Sequence, residues 1–165
     1  MKTIVAILVA IYFIWAAAHP VDWRFIDNAN LAIHEAGHLV FTPFGEFISI
    51  AGGTALQLLV PALCIIYFLF RREYFSSSLL LFWFGENFLN ISVYASDAKN
   101  MSLDLVMGGI HDWNYLLVHL GLIDNVETVG QIIRITGILI IIAASFLSIL
   151  TSRDWRSAQT MHITK

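Results

Sequence analysis

The sequence predicts an all-α polytopic membrane protein, and three observations predict it. The 165-residue chain is 58% hydrophobic and 13% charged, about half the charged content of an ordinary soluble domain. Its mean hydropathy is +0.75. The apolar residues are gathered into runs of span length, and the polar ones cluster between or inside those runs. Residues 1–165 are read as a single integral membrane domain with four full spans, a short motif-bearing helix and a small β-hairpin.

Residues 3–18 follow Lys2 as one apolar run ending in small residues. The pattern also suits a signal peptide, but it is read as an uncleaved first span because the next apolar segment follows almost at once. A polar connector, His19 to Asn30, contains Pro20, Asp22, Arg24 and Asp27. Asn28 or Asn30 is placed to cap a helix over residues 30–42. Pro43 and Gly45 end that helix. The segment 46–51 alternates imperfectly and is read as a short β-strand or hairpin, with a break at Gly52-Gly53.

Residues 54–70 form a span that Pro61 should kink, closed by Arg71-Arg72. Residues 75–96 form another, whose second half is unusually polar. A connector at 98–124 contains Gly108-Gly109 and His111-Asp112-Trp113, and Trp113 to Leu122 is read as a short interfacial helix. Residues 126–150 are the last and most apolar span.

With these spans, Lys2, Arg71, Arg72, Arg153, Arg156 and Lys165 fall on one side. Arg24 and Lys99 fall on the other, and Arg134 lies within a span, pairing with Asp124 or Glu127 or snorkelling. That asymmetry predicts N-in and C-in. The net charge of -3 gives no reason to expect a nucleic-acid partner, and the single Cys64 excludes an intrachain disulfide.

Within an apolar stretch the chain reads His34-Glu35-Ala36-Gly37-His38, an HExxH pattern. On a helix, residues four apart share a face, so both imidazoles can reach one Zn²⁺ ion. Glu35 is then placed to take a proton from a metal-bound water. The competing reading is a polar patch at the membrane interface. Ionisable groups within an apolar segment are costly without partners, and zinc would be such a partner. Gly37 permits close approach by another backbone or a substrate.

A catalytic zinc needs a third ligand and an open position. Trp83, Glu86, Asn87, Asn90, Tyr94 and Asp97 form a polar stripe at helical spacing, which should face the bundle interior. Asp97 ends that stripe and is the first candidate. His111 and Asp112 follow two glycines that let the connector fold inward, and they are the alternative. Glu86 is the third. Asn87, Asn90 and Gln57 are candidates for contacting substrate or supporting the ligands, against interhelical hydrogen bonding. His19, His119 and His162 lack partner spacing and read as interfacial. No Ser/His/Asp grouping or phosphate-binding glycine loop competes.

The segment Ile33-His-Glu-Ala-Gly-His-Leu-Val40 resembles the signature helix of the site-2 protease group of intramembrane zinc metalloproteases. The resemblance covers roughly residues 30–97. Phe47 to Gln57 fits the family outline of a β-element, a glycine turn and an amide, with Gly53 where Pro is usual. Asn87 to Asp97 is similar to the family's Asn-rich approach to a ligand Asp, without its Leu-Asp-Gly. Small bacterial membrane proteins resemble the chain further at 44–47, 90–94 and 111–113. The resemblance implies a zinc-dependent protease of the bacterial inner membrane, acting on transmembrane or juxtamembrane peptide substrates. Two other classes suit the same residues: a non-proteolytic zinc-binding membrane protein, and a membrane assembly subunit in which the motif is incidental.

Overall fold

The computed structural model describes residues 1–103 and 110–163, with side chains through Arg153. Gly108-Gly109 and Lys165 lie outside the described residues, and the side chains of Arg156 and His162 lie outside the described side chains. The chain is helical: α1 (Lys2–Ala18), α2 (Phe25–Phe41), α3 (Glu46–Phe70), α4 (Tyr74–Ser96), α5 (Asp112–His119) and α6 (Val126–Ile163). Single 3₁₀ turns at Thr42–Phe44 and Ile123–Asn125 lead into α3 and α6.

Among the described residues, two helices are long and apolar enough to cross a membrane, α3 at Glu46–Phe70 and the stretch Ile123–Arg153 that includes most of α6. Only 17% and 22% of their apolar windows are buried inside the molecule, unlike the core helices of a soluble protein. On α6 the exposed side chains Ile132, Ile135, Leu139, Ile142 and Phe146 recur at helical spacing along one face. The polar residues do the reverse: Asp27, Asn30, Gln57, Glu86 and Asn87 are all buried. Polar groups inside and apolar groups outside is the distribution expected in hydrocarbon, where polar contacts rather than apolar ones distinguish the interior.

Helix α4 is the centre of the bundle and packs against α6, α3 and α1. Phe82, Leu89, Ile141, Ala144 and Ala10 form its apolar core, and the Phe13 ring stacks on Phe82 at 5.3 Å. Helices α1 and α4 run antiparallel to α6, so that their starts meet the C-terminal part of α6. Ser152 donates to Thr3 (3.0 Å), Ser78 pairs with Thr151 (3.3 Å), and the Lys2 ammonium lies 5.2 Å from the Phe75 ring centre. At the opposite end Lys99 pairs with Asp124 at 2.9 Å. Arg134 turns to the Ala17 carbonyl (3.5 Å), not to Asp124 or Glu127.

Two readings of the sequence are corrected here. Residues 46–51 form no β-hairpin; they are the first turns of α3, and no strand occurs among the described residues. The 3₁₀ turn Thr42–Phe44 and Gly45, at φ +98°, together make the turn, so no hairpin is needed to reverse the chain. The buried positions Ile50, Gly53, Gln57, Pro61 and Ile65 then fall three to four apart, a helical period. Gly52-Gly53 is accordingly a packing surface inside a helix, not a break. The motif helix also begins at Phe25 rather than near residue 30, uncapped by Asn28 or Asn30. Arg24 is the N-cap, and Asp27 at the third helical position reaches back to it in a capping box: its Oδ2 accepts the Arg24 backbone N–H at 2.6 Å.

Candidate metal centre

Helices α2 and α3 form an antiparallel hairpin closed on glycines. A Cβ built on Gly37 would stand 2.2 Å from the Gly52 carbonyl oxygen, so only glycine permits this crossing. The same contact brings Gly53 against both motif rings; a Cβ there would lie 2.6 Å from His34 Nε2 and 2.7 Å from His38 Cε1. The close approach expected at Gly37 is therefore made by α3.

The two imidazole centres lie 4.8 Å apart on adjacent turns of α2. Asp112, at the first residue of α5, completes the group. Its Oδ2 lies 2.7 Å from His34 Nε2 and 3.2 Å from His38 Nε2. Candidate ligand atoms of His34, His38 and Asp112 lie within 4.8 Å of one another and can hold a metal ion.

The surrounding hydrogen bonds test whether the group suits a cation. His38 Nδ1 lies 2.9 Å from the Ser49 carbonyl oxygen, and His34 Nδ1 lies 3.1 Å from Gln57 Oε1. A carbonyl only accepts, so His38 carries its proton on Nδ1, and a neutral ring then has a bare Nε2. With the Gln57 oxygen likewise toward His34, two nitrogen lone pairs and a carboxylate oxygen converge on one point. Three acceptors facing each other repel unless a cation or protons lie between them. Ligand histidines characteristically donate their other N–H in this way. The residues present fit a metal ion.

The other candidates lie elsewhere. Asp97 caps α4 and organises the chain beyond it: Oδ1 accepts from the Ser102 N–H (3.0 Å) and hydroxyl, and Oδ2 accepts from the Leu103 N–H (2.8 Å). Its carboxylate oxygens are thus occupied by the connector. Burial pushes the Asp97 carboxyl up, but the Ser102 and Leu103 hydrogen bonds and the nearby His111 ring outweigh this and hold it below the usual carboxylate range. His111 caps α5, its Nδ1 accepting the Asn114 N–H at 3.2 Å. Its Nε2 then faces Asp97 Oδ2 at 3.6 Å rather than the motif. Glu86 accepts from Asn30 at 2.7 Å, and Asn87 donates to the Trp83 carbonyl of its own helix at 3.0 Å. Gln57 and Asn90 do reach the site, linked by a 3.0 Å hydrogen bond from Gln57 Nε2 to Asn90 Oδ1.

A cavity of about 750 Å³ opens on the group. Glu35, His34, His38, Asp112, Tyr94 and Gln57 line its polar side, and Trp23, Leu31, Ile50 and Ile110 are among its apolar lining. Glu35 thus shares one chamber with the convergent ligands. The Tyr94 hydroxyl accepts the Asp112 backbone N–H at 3.1 Å, tying α4 to the residue that α5 supplies.

Sequence reasoning missed Tyr94 as a support and Asp27 as part of the buried wall. The second was legible: Asp27, Asn30, His34 and Gly37 are the buried residues of α2 and fall three to four apart. Reading Asp27 as part of a connector and Asn30 as a cap hides that stripe. Comparison with family models, curated proteins and solved structures finds no match to this chain.

Proposed function

We propose that the chain is a membrane-embedded zinc metalloprotease that cleaves transmembrane or juxtamembrane peptide bonds. The observation that carries this reading is the convergence of His34, His38 and Asp112 on one point of a cavity that Glu35 also lines. Two imidazoles and one carboxylate are a ligand set used by catalytic zinc sites, which keep a further position open. The resemblance of residues 33–40 to the site-2 protease signature supports the same class.

His34 and His38 would hold Zn²⁺ through Nε2, and Asp112 through its carboxylate. When bound, Zn²⁺ supplies Lewis acidity toward water and toward a peptide carbonyl. Glu35 accepts a proton from the attacking water and delivers it to the leaving amine. The cavity holds the scissile segment beside Glu35, between the polar wall and the apolar lining. A substrate helix must unwind first, because its carbonyls are otherwise hydrogen-bonded along the helix. With residues 46–51 helical, no sheet edge is available there to bind the unwound strand, and the cavity wall takes that task.

In this reading α1, α3, α4 and α6 span the bilayer of a bacterial inner membrane, N-in and C-in. The motif and α5 then lie toward the outer face. The non-proteolytic zinc reading keeps the ligands and has no need of Glu35. Glu35→Gln is therefore the test, with zinc analysis on the purified protein and a membrane-peptide cleavage assay. The variant should keep Zn²⁺ and lose cleavage by at least about 10²-fold. Wild-type protein without zinc, or a variant with undiminished biological activity, would overturn the proposal.

A further inference from the structure

A line of hydrogen bonds crosses three helices behind the metal centre. It begins at the Arg24 backbone N–H, which donates to Asp27 Oδ2 (2.6 Å). Asn90 Nδ2 donates to Asp27 Oδ1 (3.0 Å), and Gln57 Nε2 donates to Asn90 Oδ1 (3.0 Å). Gln57 Oε1 then faces His34 Nδ1 at 3.1 Å. Asp27 is 2% exposed and Gln57 3%, while Asn90 between them is partly buried at the cavity wall.

The direction of this line follows from chemistry alone. A carboxylate only accepts hydrogen bonds, whereas an amide has one accepting and one donating end. Asp27 therefore forces Asn90 to turn its NH₂ toward it and its oxygen toward Gln57. Gln57 must answer with its NH₂, which leaves its oxygen toward His34. His34 must then carry a proton on Nδ1, which leaves Nε2, 2.7 Å from Asp112 Oδ2, as the nitrogen that can give up its share of a proton to a metal ion. Glu86 also reaches Asp27. Arg24 and Asn90 direct N–H groups at the two oxygens of Asp27, so Asp27 is the acceptor toward Asn90.

We infer that Asp27 is a positioning residue that holds a proton on His34 Nδ1 through Asn90 and Gln57, and so reserves Nε2 for the metal position. The functional consequence rests on the zinc reading; the tautomer itself does not. His38 needs no such device, because its Nδ1 meets the Ser49 backbone carbonyl directly. The two motif histidines are thus set independently, one by backbone and one by a remote carboxylate.

Asp27→Asn tests this with little change in shape. The Arg24 N–H must still be accepted, so the new side-chain oxygen turns to it and the new NH₂ faces Asn90. Each amide along the line then reverses, Gln57 presents its NH₂ to His34, and Nδ1 must give up its proton, leaving His34 protonated only on Nε2, toward Asp112. Adding Gln57→Glu restores an acceptor at the end of the line, because the introduced carboxylate can receive both His34 Nδ1–H and the reversed Asn90 NH₂.

The experiment uses full-length protein in detergent micelles, metal-free, with isotope-labelled imidazole nitrogens read by NMR. Wild type should show a proton on His34 Nδ1, Asp27→Asn should show none there and a proton on Nε2 alone, and the double variant should regain the Nδ1 proton; Nε2, which faces Asp112 Oδ2, is not the diagnostic nitrogen. His38 should show Nδ1–H throughout. Affinity for Zn²⁺ should fall by about 10–100-fold in Asp27→Asn and recover in the double variant. A folded Asp27→Asn protein with unchanged His34, or a double variant without rescue, overturns the proposal. If Asp27→Asn proves too unstable to purify, the double variant should be recovered, since its donors and acceptors again match; equal loss of both counts against it. The tautomer is read before metal is added, so failure of wild type to take up Zn²⁺ counts against the proposed function alone.

Discussion

The carbonyl oxygen of Gly52 occupies the space that a side chain on Gly37 would need, 2.2 Å from the position of a Cβ. The atom in the way is backbone, so no rotamer change relieves the clash. Gly37→Ala should force α2 and α3 apart and lower stability by about 1–3 kcal/mol, despite a gain in helix propensity of about 1 kcal/mol. Gly53→Ala acts on the imidazoles instead, since its Cβ would lie 2.6 Å from His34 Nε2. Its metal affinity should fall more steeply than its melting temperature. Thermal unfolding in detergent, paired with a chelator competition for Zn²⁺, separates the two effects. Equal affinity in wild type and Gly53→Ala would contradict the placement of the rings.

Asp112 and Asp97 make opposite predictions. Asp112 Oδ2 lies 2.7 Å from His34 Nε2, whereas Asp97 is occupied by Ser102 and Leu103. Asp112→Asn replaces a charged ligand by a neutral amide and should weaken Zn²⁺ binding by more than the roughly 10–100-fold typical of losing a ligand's supporting partner. Asp97→Asn should leave affinity within a few fold of wild type. Chelator competition decides between them, and a reversed order would return Asp97 to the ligand set.

The reason the sequence favoured Asp97 is instructive. Helix α4 was legible to within a residue, read as 75–96 and found as Tyr74–Ser96, because a long apolar run with a polar stripe has a readable period. Asp97 sits at the end of that stripe and inherited its prominence. Asp112 is brought to His34 across 78 residues of chain by a connector, and connectors carry no periodicity from which a side chain's destination can be read. His34, Glu35 and His38 were legible because one helical turn fixes their relation. The error at 46–51 has the opposite origin. A short apolar run with flanking glycines suits either a strand or a helix, and only packing against Gly37 decides which.

Asp97 should also give the connector a measurable acid sensitivity. Its carboxyl is held below the usual range, so the folded state favours the ionised form. The stability it contributes is present above the unfolded value, about 3.9, and is lost as pH falls through the depressed folded value. Hydrogen exchange at the Ser102 and Leu103 amides should accelerate in wild type as pH is taken below about 4, beyond the intrinsic pH trend. Asp97→Asn cannot ionise, so its exchange should be fast at neutral pH and lack that extra acid step. Identical profiles for the two proteins would show that Asp97 does not hold these amides.

Tyr94 tests whether the third ligand is held or merely nearby. Its hydroxyl accepts the Asp112 N–H at 3.1 Å, and Asp112 is 6% exposed, so water does not readily replace the bond. Tyr94→Phe keeps the ring beside His34 and His111 but leaves a buried N–H without its partner, a loss of about 1–3 kcal/mol. Part of that loss is local, because α5 is also anchored by Asn114 Nδ2 on the Ala98 carbonyl at 2.8 Å. Freed of Tyr94, the first turn of α5 should sample positions in which Asp112 no longer meets the two histidines. Zn²⁺ should then dissociate faster by several fold while its association rate changes little, since His34 and His38 remain preset by Gln57 and Ser49. Stopped-flow chelation measures the dissociation rate directly. A dissociation rate equal to wild type would mean that the α5 backbone alone fixes Asp112.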